Sequence, residues 1–109
     1  MKLNEALKIL KTKYNVKQQA SDVFMLDLQK LLNSYTYCYI VLKEINGEAY
    51  LTDYSTTSEL VDTEEEEYCE ICKKNGVNFN KFNIECKFQS NEDVNKMLKC
   101  IDDIMASDK

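Results

Sequence analysis

Tyr35–Tyr54 reads YTYCYIVLKEINGEAYLTDY, two β-branched and aromatic runs around Asn46-Gly47. Asn-Gly accepts the positive φ angles of a type I′ turn, whose twist matches that of two paired antiparallel strands. A two-residue turn fixes the register. Ile45 then faces Glu48, Leu42 faces Leu51, and Ile40 faces Asp53. The opposite face pairs Val41 with Thr52, Lys43 with Tyr50 and Tyr39 with Tyr54. A slip of one residue would exchange the two faces, so this hairpin decides which side of the sheet becomes core.

Working outward, Leu3, Ala6, Leu7, Leu10 and Tyr14 recur at helical spacing with Lys2, Lys8, Lys11 and Lys13 around them, an amphipathic helix with a basic outer side. Over Asp22–Leu28 the residues leave two readings open. Phe24, Leu26 and Leu28 alternate as in a strand, while Phe24, Leu28, Leu31 and Leu32 fit a helix. After the hairpin, Ser55–Ser58 reads as a turn and Ser58 caps a short turn of helix through Val61. Thr63 and Glu66 form a capping box, glutamates fill the next helix's first turn, Lys73 and Lys74 its last, and Asn75-Gly76 ends it. Phe82, Ile84, Cys86 and Phe88 alternate with polar residues, which predicts a half-buried strand. Ser90 and Asp93 open a last helix with Val94, Met97, Leu98, Ile101, Ile104 and Met105 on one face. The expected fold is one α+β domain of 109 residues. Three helices cover a mostly antiparallel sheet of about four strands, in the order α-β-β-β-α-β-α.

Chemistry is sparse. The chain has no His and no Pro, and all its basic residues are lysines. It therefore lacks the side chain that titrates near neutral pH and the bidentate clamp for phosphate. Its two glycines both follow asparagine in turns, which leaves no phosphate-cradling loop. Cys69 and Cys72 form a CxxC pair, with Cys86 and Cys100 following singly. A structural zinc site usually takes two close-spaced pairs, and a redox CxxC sits at a helix N-terminus, whereas this pair lies late in its helix beneath four glutamates. Five cysteines serve best as small buried hydrophobes in a reducing, cytoplasmic setting, with no metal or other cofactor. The alternative is a small metal-dependent or thiol enzyme centred on Asp53 or the cysteines.

Charge is sharply partitioned. Between Glu44 and Cys72 there are ten acids and no lysine, although the chain carries 14 lysines and a net charge of −5. Such a span is either a solvated helix face or a surface that attracts a basic protein, with nucleic acid repelled. Its candidate contact residues are Glu59, Asp62, Glu64, Glu65, Glu66, Glu67 and Glu70. Tyr35, Tyr37 and Tyr39 share one side of their strand, and the register adds Tyr50 and Tyr54. That side either lies exposed as an interface, including a homodimer's, or is covered by the N-terminal helix. No segment is long and apolar enough to suggest a membrane span.

Leu51-Thr52-Asp53 at the end of a hairpin strand opens a recognisable order: a polar turn, a short helix, a helix ending at Gly76-Val77, the strand Phe82–Phe88 and a last helix. From Tyr39 to Met105 the chain in this respect resembles a bacterial and phage family catalogued as domain of unknown function 1828. That family usually has a glycine soon after the aspartate, where this sequence has Tyr54-Ser55. The resemblance implies the element order and a phage or mobile-element setting, and it implies no activity. The function expected from all of this is a non-enzymatic protein-binding module, an inhibitor or recruiter of a basic host or defence protein.

Overall fold

Asn46 and Gly47 adopt φ angles of 51° and 80° in the computed structural model, which describes residues 1–108. The type I′ turn sets the expected register between β3 (Val41–Ile45) and β4 (Glu48–Thr52): Leu42 opposes Leu51 and Ile45 opposes Glu48. Around this hairpin the chain builds α1 (Leu3–Lys11), β1 (Asn15–Ala20), β2 (Val23–Asp27), α2 (Glu65–Lys74), β5 (Asn78–Asn80), β6 (Asn83–Lys87) and α3 (Glu92–Ala106). The α+β class and the three helices are as expected. The sheet differs: it has six strands rather than about four, all antiparallel, in the order β1-β2-β3-β4-β6-β5.

Both unexpected strands are edges. Of the β1 residues only Val16 is sheltered, so the strand carries no alternation to read; it pairs with β2 through the Ser21-Asp22 turn. At the other edge, β5 is three residues long and turns into β6 through Lys81 and Phe82, at φ 51° and 66°. Neither residue is a usual occupant of that conformation. Phe82 therefore belongs to a turn rather than to the strand expected over Phe82–Phe88. Its ring packs edge-on against Tyr68 and Phe79, with centroids 5.3 Å away from each. Over Asp22–Leu28 the strand reading holds as β2, with Phe24 opposite Leu42.

The sheet has one covered face and one open face. Leu26, Ile40, Leu42, Ala49, Leu51, Ile84 and Cys86 point into the core with Ala6 and Leu10 of α1, Tyr68 and Cys72 of α2, and Met97, Ile101 and Ile104 of α3. All three helices pack here. Val41, on the reverse face, is buried but lies outside that cluster.

Two helix ends are locally encoded. The Val77 N–H donates to the Cys72 carbonyl and the Gly76 N–H to that of Lys73, a Schellman motif with Gly76 at φ 71°. At the start of α3 the buried Asp93 carboxylate accepts from the Gln89 and Ser90 N–H groups, at 2.7 and 3.0 Å. The expected Thr63–Glu66 capping box is absent. Here α2 begins at Glu65 without a side-chain cap, and the Thr63 hydroxyl bonds instead to Ser107 Oγ at 2.7 Å, tying the two helices together. The short helix expected over Ser58–Val61 is a series of turns.

Candidate functional site

The outer face of α2 follows from its spacing. Tyr68 and Cys72, four residues apart, face inward and are fully buried, which turns Glu65, Glu66, Glu67 and Glu70 to solvent. Glu59, Asp62 and Glu64 in the preceding segment are exposed as well. Among the described residues, none of these seven acids makes an ion pair; the pairs that form are Met1–Glu48, Lys30–Asp102, Lys87–Glu48, Lys96–Asp93 and Lys99–Asp103. The acidic residues singled out from sequence are therefore all exposed, on α2 and the segment that leads into it.

The tyrosines do not join them. Tyr39, Tyr50 and Tyr54 belong to the open sheet face, on the opposite side from the helices. The Tyr39 and Tyr54 rings lie 6.1 Å apart just beyond the paired residues of β3 and β4, and Lys43 Nζ sits 5.2 Å above the Tyr54 ring. Tyr35 and Tyr37 leave the expected strand, because β3 begins only at Val41. They stand on an arm, Leu28–Ile40, that folds back on itself. Leu31 bridges Tyr37, the Leu32 N–H donates to the Thr36 carbonyl, and Asn33 Oδ1 accepts from the Tyr35 and Thr36 N–H groups. Lys30 ties the arm to Asp102 of α3 at 2.9 Å. Tyr35 is 95% exposed and Tyr37 61%. Between the arm and the open face runs a cleft of about 620 Å³, lined by Lys17, Met25, Asp27, Leu28, Leu31 and Tyr37 among others. No residue pattern marks this cleft, because the edge strand and the folded arm that form it lack a readable periodicity.

Asp53, the carboxylate considered for catalysis, is fully buried. Its Oδ1 accepts from the Ser55 and Ile84 N–H groups, both at 3.0 Å, and its Oδ2 from that of Thr57 at 3.3 Å. Burial raises its pKa despite those donors. With both oxygens committed, Asp53 is built as a clamp between the β4 exit and β6. Nearby, the Tyr68 and Thr57 hydroxyls are buried without partners, and burial holds the Tyr68 phenol firmly neutral.

The cysteines are dispersed through the core. Cys38, Cys72, Cys86 and Cys100 are buried, and Cys69 is half-buried. Burial pushes the Cys38 thiol up to about 11, and burial with the neighbouring Asp93 charge does the same to Cys86. Cys100 donates to Cys72 across the helix pair at 3.9 Å, which lowers the Cys72 pKa and raises its own. Among the described residues no three Cys, Asp or Glu side chains come together in a way that would hold a metal ion, and no helix is long and apolar enough to cross a membrane. Comparison with known protein families, characterised proteins and solved structures finds no match to this chain.

Proposed function

We propose that this chain is a non-enzymatic protein-binding module whose acidic surface, from Glu59 to Glu70, engages a basic protein. The observation that carries this reading is the set of seven exposed acids without an ion-pair partner among the described residues. Unneutralised charge of one sign on one surface projects a field that repels phosphate and draws Lys- or Arg-lined grooves into encounter. Nucleic-acid-binding proteins carry such grooves. The resemblance noted in the sequence adds a phage or mobile-element setting, so the role proposed is inhibition of a cytoplasmic host or defence protein of that class. Capture from nuclease-treated host lysate tests this, comparing the wild type with a variant carrying glutamine at positions 64 to 67. The wild type should retain a basic protein that elutes with salt, and the variant should not. Equal capture by both, or direct binding of labelled nucleic acid by the wild type, would overturn the reading.

A further inference from the structure

The open sheet face and the arm beside it remain outside that reading, and they share a property the acidic surface lacks. By the registers, the open face carries Lys17 of β1, Asp27 of β2, Lys43 of β3, Glu48 of β4, and Lys87 and Glu85 of β6. Sign alternates from strand to strand, three lysines against three acids, with Glu48 also held by the Met1 ammonium and Lys87. A field of one sign would call for a partner of the other sign. A balanced, interspersed pattern is instead complementary to itself when rotated about a twofold axis, the geometry of an isologous dimer. Between these charges lie Val23, Met25, Tyr39, Tyr50 and Tyr54, all but the last partly sheltered, so the face offers apolar area with polar edges.

Area shows which elements must take part. Six strands at about 4.8 Å spacing and five residues at about 3.3 Å give a face of roughly 24 by 17 Å, or about 400 Å² in projection. A stable dimer buries about 800 Å² of accessible surface on each partner. The sheet alone falls short, and the arm is the only neighbouring feature that projects large apolar groups: Leu31, Tyr35 and Tyr37 are three of the four exposed large hydrophobic residues among those described. Leu31 and Tyr37 of the arm line the cleft of about 620 Å³ together with Lys17, Met25 and Asp27 of the open face. Protrusion and recess on one patch are what a twofold contact requires, since each copy must offer both.

We infer that two copies of this chain dimerise through their open sheet faces, with Tyr35 at each arm tip seated in the other copy's cleft against Met25, Leu28 and Tyr37. The Asn33 turn that fixes the Tyr35 backbone keeps the ordering cost of this anchor low, and a rigid aromatic entering a recess is the usual form of an interface hot spot. The acidic helices stay on the outer surfaces of such a dimer, one on each side.

Sedimentation equilibrium across the micromolar range tests the inference, with Tyr35→Ser as the first variant. The wild type should show twice the 12.7 kDa monomer mass. Tyr35→Ser should weaken the dimer about 30-fold or more, while circular dichroism stays unchanged because Tyr35 is 95% exposed in its own copy. The variant with glutamine at positions 64 to 67 should dimerise as the wild type does, which separates this interface from the acidic surface. Replacing Tyr35 with photo-reactive p-benzoylphenylalanine, in a mixture of isotopically light and heavy chains, should cross-link to Met25, Leu28 or Tyr37 of the other copy. A wild type that stays monomeric, a dimer indifferent to Tyr35, or cross-links only within one chain would overturn it. So would a monomer that uses Tyr35 to bind another protein or a single-stranded nucleic acid.

Discussion

Leu51→Ala is the sharpest test of the register on which the fold rests. Leu51 is fully buried between Leu42 on β3 and Cys86 on β6, beneath the helical layer. Truncation removes three carbons from that position, about 2.4 kcal/mol at about 0.8 kcal/mol each. A cavity term is added to the extent that the surroundings cannot collapse. Collapse is restricted here, because hydrogen-bonded strands flank the site on both sides. The expected loss therefore lies in the upper part of the range of about 2–5 kcal/mol seen for buried leucines. In urea unfolding the midpoint should fall while the m-value stays constant. The Leu42→Ala/Leu51→Ala double variant should depart from additivity by about 0.5–3 kcal/mol, since the two side chains share one cavity. A loss below about 0.5 kcal/mol for Leu51→Ala, as at surface positions, would mean that the hairpin pairs one residue out of register.

Other positions give independent outcomes. Asp53→Ala leaves two buried N–H groups and the half-buried one of Ser55 without an acceptor and should cost about 3 kcal/mol or more in the same assay. Because burial raises the Asp53 pKa on folding, its ionisation favours the unfolded chain. Its contribution to stability is full below the unfolded pKa and is lost as pH rises through the folded one, so the wild type should gain stability relative to Asp53→Asn on acidification through that window. Tyr68→Phe removes a buried hydroxyl that has no partner, and the melting midpoint should rise rather than fall. Gly76→Ala meets no steric obstacle but places a side chain at φ 71°, which should cost about 1–2 kcal/mol of thermal stability. At pH 8, a thiol reagent should modify Cys69 rapidly and the four buried cysteines only after denaturation; fast modification of Cys38 or Cys86 would contradict their burial.

The parts of the fold legible in sequence are those where local chemistry and global packing agree. Asn46-Gly47 and Asn75-Gly76 combine residues that accept positive φ with amphipathic flanks, and both ends form as their residues require. Asp93 reaches back to the Ser90 N–H because Ser90 lies three residues before it. Elsewhere that agreement fails. Lys81-Phe82 makes a hairpin turn without a turn residue, held by the Tyr68–Phe79–Phe82 cluster, which assembles only once α2 is docked. Strand β1 is solvated along most of its length, so nothing in its composition marks it apart from a loop. Thr63 carried a local capping signature, and a tertiary contact with Ser107 displaced it. The candidate site was half legible for the same reason. Charge needs only exposure, so the acidic surface could be listed from sequence, whereas the tyrosines needed the arm's folding to be placed.

The stretch Leu51-Thr52-Asp53-Tyr54-Ser55 joins these strands of argument. Asp53 spends its carboxylate on the turn that follows it, so Leu51-Thr52-Asp53 ends in a structural clamp. The turn it closes places Tyr54 and Ser55 at φ 52° and 61°, a conformation in which glycine costs least. Two non-glycine residues there carry strain, and the surrounding contacts have to offset it. Ser55 Oγ donates to Asn83 Oδ1 at 2.9 Å, which fastens the turn to β6. Tyr54 reaches back over the open face, to the Tyr39 ring and to Lys43. A glycine would relax the backbone and remove an aromatic group from that face. The strain this chain accepts in the turn is therefore matched by aromatic area on the face inferred to receive a second copy.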